Sequence, residues 1–167
     1  MAAHIPEKVE TPISETVETL TVLVHDNVAV ADRLRDATEV TDDEINRQML
    51  ESMAEIRQIN AEELQAHAAT FGRVPDVAPT LTDKLGRAMS KIRGVVTNNE
   101  TETVLEGAAG SEVDLRDGYY EAIASNAVAS SVKDVLTRHV DKTVDYPTVI
   151  RQIERDEHIT DAARQQS

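Results

Sequence analysis

The sequence predicts an all-α protein, an antiparallel four-helix bundle with a long crossover between its second and third helices. Three observations predict it. Four long segments repeat apolar residues at three- and four-residue steps, the period of a helix with one buried face. Glycine and proline are scarce, 6 and 5 of 167 residues, which disfavours a turn-rich β protein. The connections run short, long, short, a rhythm that pairs the first helix with the second and the third with the fourth.

Residues 1–13, with Pro6 and Pro12, read as a flexible arm. The first helix is expected from Ser14 to Glu39, with Val17, Leu20, Val24, Val28, Ala31 and Leu34 as its inward stripe. Val22 and Val30 form a lesser stripe on the far side, a candidate surface for a homodimer. The second helix opens at the stretch Thr41–Glu44 ("TDDE"), which has the pattern of a capping box. Its stripe is Ile45, Met49, Met53 and Ile56, followed by Asn60, Glu63 and His67, and Gly72 is its expected left-handed cap. Two prolines then open a connection that reaches Glu100, with a short helix expected over Thr82–Arg93. The third helix spans about Glu102–Ser125, with Leu105, Ala108, Leu115, Tyr119, Ala122 and Ile123 as its stripe. The fourth is expected from Ala127 to Arg155, with Val128, Val132, Val135, Leu136, His139, Thr143, Tyr146, Ile150 and Ile153 as its stripe, kinked where Pro147 cannot donate to the Thr143 carbonyl. The bundle therefore occupies 14–155, and 156–167 reads as a polar tail.

The chain carries 31 acids against 17 bases, a net charge of −14. Such a surface repels phosphate backbones, so no nucleic-acid partner is expected. There is no cysteine, which excludes disulfides and thiolate metal ligands. The longest apolar run, "TLTVLVHDNVAVA", is broken by His25, Asp26 and Asn27 and is too short to span a bilayer. With no secretory signal pattern at the start, the expectation is a cytoplasmic protein without a membrane partner.

Several polar residues face the interior on a helical wheel. Asn60, Glu63 and His67 fall near the second helix's stripe, Glu112 in the middle of the third's, and His139 and Tyr146 on the fourth's. Asn27 lies at the margin of the first. Glu112 and His139 are expected at similar depth. A buried carboxylate must find a partner or stay protonated, so the two could share a metal or form an ion pair. Glu63 and His67, four residues apart, could equally pair with each other, and Asn60 could be an amide that fixes helix register. Three of the six glycines, Gly107, Gly110 and Gly118, share the third helix with Glu112; they would admit a close neighbour or a backbone bulge.

The stretches "ETLTVLVHDN", "EIRQINAEELQAHAATFG" and "GSEVDLRDGYYEAI" resemble a small bacterial ferritin-like family, a domain of unknown function built as a single four-helix bundle. The resemblance runs from about Glu18 to Ile153. It implies a carboxylate and histidine metal centre in the bundle, with iron or another divalent metal as cofactor. The wider superfamily uses one Glu from each of two helices and a Glu-x-x-His from each of the others. Here Glu112 matches. The second helix places Ile56 and Asn60 at the inward positions, the first offers Asn27 in place of a Glu, and the fourth has His139, then Tyr146 and Pro147. The resemblance thus implies a degenerate site of Glu112, His139, Glu63, His67 and Asn60, in a stress-related metal-handling role without strong oxidase activity. The alternative is a structural or interaction module without metal, and a diiron enzyme with unusual ligands ranks third.

Overall fold

The computed structural model describes residues 12–73 and 98–164, and among them all regular structure is helical. Five helices follow in order: α1 (Pro12–Val40), α2 (Glu44–Thr70), α3 (Asn98–Ala124), α4 (Ser130–Thr143) and α5 (Tyr146–Arg164). The arm at 1–11 and the short helix expected over Thr82–Arg93 lie outside the described residues. No helix among the described residues is long and apolar enough to cross a membrane.

α1 packs against α2 along its length and against α3 on its other side; α3 packs in turn against α4 and α5, and α5 touches α2 only lightly. Two ties fix the directions. Thr101 at the start of α3 donates to the Val40 carbonyl at the end of α1 (3.4 Å). At the opposite end, the Thr16 hydroxyl donates to the Ala127 carbonyl (3.0 Å) and accepts from the Ala129 amide (3.2 Å). α3 therefore runs antiparallel to α1 and parallel to α2. The connection from α2 to α3 must return the length of the bundle, as the spacing of the connections predicts.

Leu20, Leu34, Leu50, Leu64, Leu105, Leu136, Ile150 and Ile153 are the large apolar side chains sealed in the core. Each contributes roughly 1.5–3 kcal/mol by leaving water. With so few aromatics, small residues set the helix spacing. Ala54, Ala61 and Ala68 of α2 and Ala31 and Ala37 of α1 are all buried in the same core.

The third helix's expected stripe is buried at Leu105, Ala108, Glu112, Leu115, Tyr119 and Ala122, and Ile123 at its end is half-buried. Elsewhere the structure corrects the sequence reading. Val30 is buried, not on an outer stripe. α1 packs on two helices, so its buried arc is wide enough to take in Leu23 and Val30; only Val22 of the supposed pair is exposed. On α2 the alanine face turns toward α1, which leaves Ile45 at 69 % and Met49 at 40 % exposure instead of in the core. The expected capping box is a single cap: Asp43 Oδ1 accepts from the amides of Ile45 and Asn46 (both 2.9 Å), while Thr41 turns back to the Ala37 carbonyl (2.7 Å). Gly72 has the expected left-handed backbone, φ +83°.

The fourth limb breaks instead of kinking. α4 ends at Thr143, and α5 restarts with Asp145, whose carbonyl accepts from the amides of Thr148 and Val149 (both 3.0 Å). Pro147 then sits in a first turn, where a missing N–H costs nothing. The polar tail expected after Arg155 is helical to Arg164. It has a reason to be: buried Glu157 accepts from the amides of Asp42 and Asp43 (both 3.2 Å) and so caps the α1–α2 turn.

The glycines of α3 serve neither expected purpose at two of the three positions. A Cβ on Gly107 or Gly110 would meet no atom within 4 Å. Glycine in a helix interior costs about 0.5–1 kcal/mol relative to alanine. Gly107→Ala and Gly110→Ala should each raise stability by about that amount. Chemical denaturation of the two variants checks this; a loss of stability in either would mean that the face is covered.

Candidate functional site: a buried polar chain through the bundle

Arg57 and Glu112 face each other across the core, 1 % and 0 % exposed. Arg57 comes from the inward face of α2, four residues after Met53, and Glu112 from the centre of α3's stripe. The pairing is bidentate: Nε donates to Oε1 (3.0 Å) and Nη2 to Oε2. Two parallel charge-assisted bonds are the geometry in which a guanidinium best holds a carboxylate. Arg57 Nη1 has no hydrogen-bond acceptor and is buried. The guanidinium carbon lies 5.5 Å from the centroid of the Tyr146 ring, so the ring's negative face takes part of the charge instead.

A second chain of hydrogen bonds runs beside this pair. The Asn27 amide donates to the Leu23 carbonyl (2.6 Å) and to the Tyr119 hydroxyl oxygen (2.9 Å). The Tyr119 oxygen stands 3.1 Å from His139 Nδ1, and His139 Nε2 stands 2.8 Å from Glu63 Oε2. The donors assign themselves. Tyr119 already accepts from Asn27, so its proton goes to Nδ1. A carboxylate can only accept, so Nε2 carries the imidazole proton. His139 is therefore neutral, with Nε2–H toward Glu63. Arg138 of α4 also reaches Glu63 and closes the chain at the surface. The chain thus joins α1, α3, α4 and α2 in turn.

The charges follow burial. His139 is held below its ordinary pKa, chiefly because the core disfavours imidazolium, with the Glu63 contact opposing. Glu63 is held below the usual carboxylate range, first by its bond from His139, which outweighs desolvation, with the nearby Arg138 guanidinium adding to the lowering. Burial pushes the Tyr119 hydroxyl up to about 12, against its bond from Asn27. Tyr119 therefore acts as a donor throughout the neutral range.

The five residues expected to form a metal site are thus divided. Glu63 and His139 come together, across α2 and α4. Glu112 turns to Arg57 and not to His139. His67 does not join Glu63; it is half-buried near the end of α2, its carbonyl accepting from Thr70 (2.7 Å). Asn60 is buried with its Nδ2 unpaired. Among the described residues no group of three or more His, Cys, Asp or Glu could hold a metal ion. The donor set does not fit the expected metal: both Glu112 oxygens are engaged, both His139 nitrogens are engaged, and a guanidinium occupies the centre. The sequence reading missed Arg57. Its signal was present, since Glu112 needed a partner and Arg57 is the base on the inward face of α2, between Met53 and Asn60. Arg138 and Glu157 were also missed: Arg138 lies on the flank of the α4 stripe, while Glu157, seven residues after Ile150 and four after Ile153, continues the α5 stripe into the stretch read as a tail.

Residues 15–125 match the family model for the Domain of unknown function (DUF2383). No curated protein and no solved structure matches the chain.

Removing one partner of the buried pair leaves an uncompensated charge. Glu112→Leu or Arg57→Met should each cost about 3–5 kcal/mol, and the double variant Arg57→Met with Glu112→Leu should recover most of it. Urea unfolding of the three variants gives the cycle; additive losses would show that the two side chains do not depend on each other.

The pH dependence has a definite sign. A histidine whose folded pKa lies below its unfolded value, about 6.5, binds its proton more readily when unfolded. Its contribution to stability is intact above about pH 6.5 and is lost as pH falls toward the folded value. Glu63, also lowered on folding, loses its contribution in the same direction at lower pH, below its unfolded value. Stability should fall as pH drops from about 7 to 5, and His139→Gln should flatten that slope. Denaturation midpoints across this range test it; an unchanged slope in the variant would assign the pH dependence to another group.

Proposed function

The chain belongs to the DUF2383 family, and we propose that it is a ferritin-like bundle that has exchanged a metal centre for an internal ion pair and works as a structural or protein-interaction module. One observation carries this reading: both oxygens of Glu112, the carboxylate at the middle of the bundle, are held by Arg57. A cation placed beside Glu112 would have to displace a guanidinium of the same sign. The pair supplies charge neutrality without a cofactor, and the Asn27–Tyr119–His139–Glu63 chain fixes helix register around it. Such a core holds a surface in shape without taking part in chemistry. The partner such a surface would bind is a protein, and a second copy of the chain is the first to test.

Protein purified without chelator should contain far less than one iron, manganese or zinc per chain. Its thermal midpoint should not rise when ferrous iron, manganese or zinc is added in excess, because a ligand that binds the folded state must raise it. Stoichiometric metal that leaves with chelator, together with a lowered midpoint, would overturn the proposal in favour of a metal-handling site.

A further inference from the structure

We infer that the seam between α2 and α5 is a docking groove for a basic amphipathic helix of another protein. The inference rests on the interaction-module reading above, and it names the surface used and the chemistry of the partner.

The seam is the thinly packed side of the bundle. α2 packs on α1 along its length but touches α5 only lightly. The two leave an open cleft of about 340 Å³ between Ile45, Met49 and Met53 on one side and Tyr146 and Val149 on the other. Among the described residues no charged side chain lines it. Ile45, Met49 and Ile59 are 69 %, 40 % and 58 % exposed. On a wheel at about 100° per residue, Ile56 and Ile59 continue the line of Ile45 and Met49 within roughly 80° of arc. From Ile45 to Ile59 the stripe runs about 21 Å, or about four turns of helix. Exposed apolar side chains scattered singly need no explanation, whereas a continuous stripe beside a cleft marks a partner surface.

The charges around this groove are sorted by sign. On α2, exposed Glu51, Glu55 and Glu62 form a row along the outer border of the stripe. Exposed Arg47 lies about 160° round the helix from Ile45. On α5, exposed Asp156 lies about 20° from Val149, on the side of the cleft. Exposed Arg151 and Arg155 lie about 160° and 120° away from Val149. Both walls are therefore acidic, and the arginines of the two helices face elsewhere.

An apolar floor between acidic walls is complementary to a helix with one apolar face and Lys or Arg on its flanks. It suits the other occupants poorly. A second copy docked through the same seam would set acidic walls against acidic walls in either two-fold orientation, and like charges in register disfavour a partner. A membrane surface rich in anionic lipid attracts basic segments and repels this one. The whole chain carries −14, so any cation is drawn to it weakly from a distance. A test must separate the groove from that general attraction.

The probe is a synthetic helix of repeated Leu-Lys-Lys-Leu-Leu-Lys-Leu units, titrated calorimetrically into the full-length protein at about 150 mM salt, where distant surface charges are screened. Two control peptides carry Glu in place of each Lys, or the same residues scrambled so that no apolar face forms. The Lys helix should bind one per chain, and each control at least about tenfold more weakly. Ile45→Ser with Ile59→Ser should weaken the Lys helix about tenfold, and Glu51→Lys with Glu55→Lys by a similar factor. Glu106→Lys with Asp114→Lys makes the same change in net charge at exposed positions of α3 and should alter affinity by less than about twofold. All six substituted positions are exposed, so the fold should persist, and circular dichroism verifies it. Metal content, measured on the same samples, decides the reading of the core independently of these titrations. No binding of the Lys helix, equal binding of the scrambled peptide, or equal losses from the α3 pair would each overturn the inference. So would a wild-type dimer in sedimentation, or capture by phosphatidylserine vesicles, that Ile45→Ser with Ile59→Ser abolishes; these results would assign the seam to a second copy or to a membrane.

Discussion

The Arg57–Glu112 pair sets the terms for the whole interior. Two full charges out of water are tolerated only when each finds the other with good geometry, so α2 and α3 have one workable rotation and one workable height relative to each other. These two helices lie diagonally across the bundle. Fixing a diagonal also fixes the two limbs between: α1 must pack its Leu20, Leu23 and Leu34 faces into the space that remains, and α4 must bring His139 to Glu63. A core of valine, leucine and alanine could be packed in several ways at similar energy, because apolar contacts are not directional. The ion pair removes that freedom.

Much of the fold was legible because helices announce themselves by period. The stripes of α1 and α3 and the positions Val132, Leu136, His139, Ile150 and Ile153 were placed from spacing alone. The α2 stripe holds at Met53 and Asn60 but was misplaced at Ile45 and Met49 for a physical reason. Ile45, Met49 and Ile56 cluster on one side of the helix, whereas its buried face combines alanines with Leu50, Met53, Arg57, Asn60 and Leu64. A wheel weighted by hydrophobicity points to the seam with α5 instead of to the contact with α1. Pro147 was recognised as a disruption, but whether a proline bends a helix or restarts it depends on what caps the new start, here Asp145.

The site was legible in its components and not in its pairings. Glu112, His139, Glu63 and Tyr119 were each read as inward. Which of them meet depends on rotations of about one residue, 100° on a helix, which the pattern does not fix. A buried arginine also escapes any search for metal ligands, because it is not one. Charge balance finds it: a carboxylate at the centre of an apolar stripe requires a cation, and the facing helix offers one base at the right depth. In a metalloprotein that requirement is met by an ion from solution, and here the chain supplies it covalently.

Glu157 has a consequence for where this molecule can be cut. The family match stops at 125, yet the carboxylate that holds the α1–α2 turn comes from the second half of α5. Two amides in the first half of the chain are satisfied by a side chain in the last tenth. A fragment trimmed to the matched span would expose those amides, lose the imidazole that Tyr119 and Glu63 share, and open the apolar faces of Leu105 and Leu115. The autonomous folding unit therefore extends well past the region by which relatives are recognised, and expression boundaries belong beyond Glu157.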